Sequence, residues 1–168
     1  MLAGIIKHFD SRLNTLSQLL DQAASHFGND DCLNLRLIDD MATLATQINF
    51  TCAQPQKLVQ WLSGKDISGQ DAEVVTSLAA AQDLISQTRK ELTDVDSNTT
   101  SIPANKHLEF GSTLYADLSG EDYINDFLIP NFYFHFVTAY DILRANGVQI
   151  GKASYMAHLM DRVKETGK

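Results

Sequence analysis

Residues 119–147 read SGEDYINDFLIPNFYFHFVTAYDILRANG, and this stretch decides the fold. At about 100° per residue, Ile124, Leu128, Phe132, His135, Ala139, Ile142 and Leu143 share one face of a helix, with Pro130 on the other side. Ser119 is a natural N-cap. Glu121 and Asp122 place carboxylates in the first turn, where they complement the helix dipole, and Asp122 completes a capping box. Asn146-Gly147 closes the run with a left-handed stop. The spacing predicts one long helix that buries a stripe containing a single histidine.

Such a stripe needs partners, and the upstream chain supplies them. Ile5, Ile6, Phe9, Leu13, Leu16, Leu20, Ala23, Ala24 and Phe27 recur at helical spacing before Gly28-Asn29, which predicts a first helix over about residues 3 to 27. Asn29, Asp30 and Asp31 are N-cap candidates for a second run, Leu33, Leu37, Met41, Leu44, Ile48 and Cys52, expected to pack antiparallel to the first. Pro55 predicts a kink or restart, because it lacks an amide proton, before Leu58, Val59 and Leu62 carry the face on to Ser63-Gly64. Ser68 and Asp71 have capping-box spacing ahead of Val74, Leu78, Ala81, Ile85 and Leu92.

The polar stretch from Asp96 to Ala104 reads as an exposed connection. Alternating polarity on either side of Gly111-Ser112 then predicts a small hairpin with a two-residue turn. Beyond Gly151, Tyr155, Met156, Leu159, Met160 and Val163 predict a short helix docked on the bundle or on a second subunit. The fold class is all-α: a single-domain four-helix bundle with a hairpin before the last long helix and a C-terminal tail at 153–168.

At 168 residues the length suits one domain, and no apolar run reaches the ~18 residues that a membrane span requires. The N-terminal segment carries Lys7, His8, Asp10 and Arg12, which no signal-peptide core tolerates. Cys32 and Cys52 lie far apart and match no disulfide or metal spacing, so a cytoplasmic location is expected. The net charge of −8 argues against nucleic acid, and the basic group Lys152, Arg162, Lys164 and Lys168 reads as a solvated tail.

None of His8, His26, His107, His135 and His158 forms a two-ligand helical spacing, and no phosphate loop, nucleophile elbow or Glu-x-x-His pair occurs. What remains is positional. A wheel of the second helix places Asp40, Gln47, Thr51 and Gln54 on a polar seam, and His135 is expected opposite Asp40 or Gln47. His135 and Asp40 are then the metal or acid/base candidates. Gln47, Gln54, Tyr133 and Tyr140 are candidates for a small-molecule ligand. The competing reading makes His135 a core histidine satisfied by a carbonyl or carboxylate, and the two tyrosines packing residues. Trp61 lies off its helix's main stripe and reads as a subunit contact or pocket rim.

The runs Leu35-Arg36-Leu37-Ile38-Asp39-Asp40-Met41 and Ile129-Pro130-Asn131-Phe132-Tyr133-Phe134-His135, with Ala139-Tyr140, Leu143-Arg144 and Asn146-Gly147-Val148, resemble domain of unknown function 1993, over roughly residues 3 to 152. That family is similar to the DinB/YfiT-like four-helix bundles. The resemblance implies their fold, frequent pairing into homodimers, and in many members a divalent metal held by three histidines, some of them transferases or hydrolases. Where the family commonly has Asp-His late in the second helix, this chain has Ala53-Gln54 followed by Pro55. No cofactor is therefore expected, a divalent metal being the alternative. Two functions follow: a non-catalytic bundle acting through self-association or partner binding, and a metal-dependent transferase or hydrolase acting on a small molecule.

Overall fold

The computed structural model describes residues 2–65, 74–95 and 101–164. Its long helices start where side chains take up orphan amides. Thr43 Oγ1 accepts from the Thr46 amide at 3.4 Å, and Ser77 Oγ accepts from Ala80 at 3.0 Å. These caps begin α2 (Leu44–Leu62) and α3 (Leu78–Thr93), which follow α1 (Leu2–Phe27). A hairpin of β1 (Asn105–Phe110) and β2 (Leu114–Ser119) leads into α4 (Gly120–Asp122), a π-helical segment (Tyr123–Leu128) and α5 (Ile129–Ala145). These last three run on as one rod, and the wide π turns stand directly before Pro130, which has no amide to donate back into the ladder. α6 (Lys152–Tyr155) and a 3-10 turn (Ala157–Arg162) dock the tail against α1.

Apolar stripes from all four long helices make one core, in which Phe9, Leu13, Leu16, Ile48, Leu58, Ile85, Phe132 and Phe136 are closed to solvent. α2 lies between α3 and α5, and α3 also packs on α1, where Arg89 Nε bridges Asp10 at 2.7 Å and Nη1 donates to Asn14. Ser119 Oγ accepts from the Asp122 amide and donates to its carboxylate, so it caps the last rod as expected. Gly147, at φ +91°, closes that rod. At Gly120 a Cβ would run into the Pro103 carbonyl, so the 101–104 segment seals the rod's start only because no side chain is there.

Several expectations need correction. Residues 33–43 form no α-helix: a 3-10 turn (Asp31–Asn34) buries Cys32 and Leu33, and a bent segment follows that leaves Leu37 and Ile38 exposed. Helical spacing of leucines was there without a cap, and the capping residue is Thr43. Asp30, expected to cap α2, instead accepts from the Leu78 amide at 2.8 Å and secures α3. The bent segment carries the chain across the bundle, so the main neighbour of α1 is α3, not α2.

α2 runs unbroken through Pro55, because burial against α3 and α5 outweighs the lost hydrogen bond. The hairpin turn spans three residues, Gly111 to Thr113, since Phe110 pairs with Leu114. Trp61 is no rim residue: it is buried, edge-on to Tyr123 at 4.9 Å. Ser68, Asp71 and Lys168 lie outside the described residues. No helix among those described is long and apolar enough to cross a membrane.

Candidate functional site

α5 carries polar chemistry on both flanks of its core stripe. Phe132, Phe136, Ala139 and Leu143 face inward, which puts His135 on the flank toward α2 and Tyr133 and Tyr140 on the flank toward α1 and the tail. His135 is thus half-buried at the edge of the core, and Phe136 holds the position the sequence assigned to it.

On the α2 flank, Gln47 Nε2 donates to the Ala42 carbonyl at 3.2 Å. Its Oε1 is then the acceptor, and His135 Nδ1–H donates to it at 2.8 Å, which fixes the tautomer and leaves Nε2 with its lone pair. Phe50 and Phe134 lie against the imidazole, with ring centroids 4.9 and 5.2 Å away. Burial first, and the Lys57 ammonium second, push the His135 pKa down to about 4, so the ring is neutral at neutral pH. Two turns of α2 beyond Gln47, Gln54 donates to the Phe50 carbonyl at 3.0 Å, while its own Oε1 is buried without a partner among the described residues. Lys57 is half-buried and takes part in neither ion pair found among the described residues, Arg89–Asp10 and His107–Asp117.

Of the sequence-derived candidates, Gln47 and His135 meet, with Gln54 farther along the same helix. Asp40 does not join them. It sits exposed in the bent segment ahead of α2, because the helix on whose wheel it was placed begins only at Leu44.

The opposite flank was not assembled from the sequence. Arg12 Nε donates to the Tyr133 hydroxyl at 3.2 Å, and that hydroxyl shares a hydrogen bond with His8 Nε2 at 2.9 Å. Tyr155 stacks on Phe136 at 5.3 Å and meets Tyr140 edge-on at 5.8 Å, bringing the tail and His158 over this cluster. His8 and Arg12, four residues apart beside the apolar stripe of α1, were the legible signal for it.

A family model for domain of unknown function 1993 matches residues 1–156. The chain belongs to this family. A solved structure of a DinB family member from Shewanella denitrificans is 28% identical, with a TM-score of 0.76 over 90% of this chain and 88% of that one. A search of curated proteins finds no match. The DUF1993 chain therefore has the DinB-like fold, and the metal position that the resemblance implies can be tested against its residues.

They do not fit a divalent metal. The donors on the α2 flank are one imidazole and two amides, beside an ammonium that raises the local positive potential. Cys52 is no substitute, since burial pushes its thiol up to about 12. Among the described residues no three His, Cys, Asp or Glu side chains gather as a metal would require.

Proposed function

We propose that this DUF1993 protein is a non-catalytic, cytoplasmic DinB-like bundle that acts by self-association and has a degenerate metal position. The supporting observation is the His135–Gln47 hydrogen bond beside Lys57: an amide and an ammonium stand where ligation needs a second imidazole or a carboxylate. His135 is too weak a base to hold a proton at neutral pH, and burial keeps both thiols protonated, Cys32 as well as Cys52.

Phe50 and Phe134 offer the surface for self-association. Trp61, Tyr133 and Tyr140 pack within the chain, whereas Phe50 and Phe134 are 45% and 57% exposed on neighbouring helices around His135. Two aromatic anchors on one face suit an isologous two-fold contact.

Elemental analysis of protein purified without chelator, followed by zinc and nickel titration, tests the first clause. No stoichiometric metal is expected, and one equivalent bound through His135 would restore the transferase or hydrolase reading. Sedimentation tests the second: a dimer of the 18.6 kDa chain is expected, reverting to monomer with Phe134→Asp. A wild-type mass of 18.6 kDa at every concentration overturns self-association.

A further inference from the structure

We infer that the cluster where α1, α5 and the tail meet is a binding site for a small oxyanion, a phosphate or carboxylate group held by Arg12 and His158. Arg12 is half-buried in a chain of net charge −8, yet no carboxylate pairs with it among the described residues. Its hydrogen bonds go to neutral oxygens, Tyr133 Oη at 3.2 Å and Ser11 Oγ at 2.8 Å. A guanidinium withdrawn from water is ordinarily matched by an anion, and its planar fork suits an oxyanion.

A second group here has an atom without a partner. His158 Nδ1 is buried without a hydrogen bond among the described residues. The charges of Arg12 and His158 act on His8, and those of Arg12 and Arg162 act on His158. Burial lowers both imidazoles below the ordinary histidine value, with Arg12 the next cause for each; for His158 the Tyr155 carbonyl pulls the other way. Cations and imidazoles concentrated in one seam of an acidic protein make a local positive potential that one bound oxyanion neutralises. The anion accepts from Arg12 and from His158, and it brings both histidines nearer to protonation.

The site is distinct from the α2 flank, and its test is independent of metal or oligomer. The imidazole C2–H signals of the full chain are followed by NMR during titration with sodium phosphate and, separately, sodium acetate, at constant ionic strength against chloride. Saturable movement of His8 and His158 with either anion, and a rise in their titration midpoints, is expected; whichever anion saturates identifies the group. Arg12→Met is expected to weaken binding about tenfold or more, and Arg12→Lys less. Absence of saturation by either anion up to ~10 mM, or equal binding by Arg12→Met, overturns the proposal. If Arg12→Met fails to fold, the wild-type titration and Arg12→Lys decide the matter: binding by Arg12→Lys as tight as wild type shows that the guanidinium fork is not the recognition element.

Discussion

The two flanks of α5 use the same residue type in opposite ways. Toward α2, His135 donates its one N–H to a buried amide oxygen and meets no carboxylate among the described residues, so the imidazole is a neutral link between helices. Toward α1, His8 shares a hydrogen bond with the Tyr133 hydroxyl, which is itself held by a guanidinium, and the tail brings up His158, whose Nδ1 is buried without a hydrogen bond among the described residues. The first flank is closed on itself; the second is short of an acceptor. Identical chemistry thus becomes structural or receptive according to what the neighbouring helix offers.

The largest expected effect comes from opening the closed flank. Gln47→Leu fills the space of a residue only 1% exposed, but it strands the His135 Nδ1–H, and a loss of about 2 kcal/mol is expected in urea unfolding. Gln47→Glu distinguishes the cause: a carboxylate at that place keeps the hydrogen bond and raises the His135 pKa. A Gln47→Leu protein as stable as wild type means that the pair does not hold the helices together.

Acid attacks the same pair. The His135 pKa lies at about 4 in the fold against 6.5 ordinarily, so the unfolded chain takes up the proton first as pH falls. The stability this ring contributes is complete above pH 6.5, is lost as pH falls toward about 4, and is constant below that. Allowing for solvent at a half-buried ring, about 1–2 kcal/mol is expected. His8 and His158, also lowered, act in the same direction on the other flank. Melting temperatures across this range should fall less steeply in His135→Gln than in wild type, and parallel curves would assign the acid response elsewhere.

The uneven legibility of these regions has a physical origin. Apolar periodicity determined α1, α3 and the final rod because each buries one stripe, and it put His135 near Gln47 because residues on facing edges of two packed helices must meet. It failed at Leu33, Leu37 and Met41, whose spacing is helical but whose chain has no cap until Thr43, and Asp40 was misplaced with them. The His8–Tyr133 hydrogen bond directly joins residues 125 positions apart on α1 and α5, and no local pattern encodes that. Nothing in the spacing singles out Lys57, since only packing brings its ammonium near an imidazole.

On the receptive flank a single hydroxyl deletion should matter less. Tyr133→Phe keeps the ring packed between Phe132 and Phe136 and removes only the hydroxyl shared by Arg12 and His8. About 1 kcal/mol is expected, because both former partners are only half-buried and can turn to water. A loss as large as that of Gln47→Leu would erase the distinction between the two flanks.

The smallest effect on stability, and the sharpest readout, belongs to Lys57→Met. Methionine keeps most of the apolar stem while removing a charge that burial already disfavours, so stability should change by no more than a few tenths of a kcal/mol. The His135 titration midpoint, followed through its C2–H signal, should rise, since one of the two influences holding it down is gone. It should nevertheless stay below 6.5, because burial is the larger of the two. In Gln54→His the retained ammonium should still oppose a metal, and adding Lys57→Met should strengthen zinc binding by the restored pair. A midpoint that does not move in Lys57→Met shows that the ammonium does not act on the ring, and the electrostatic part of the argument against a metal then fails, leaving only the shortage of ligands.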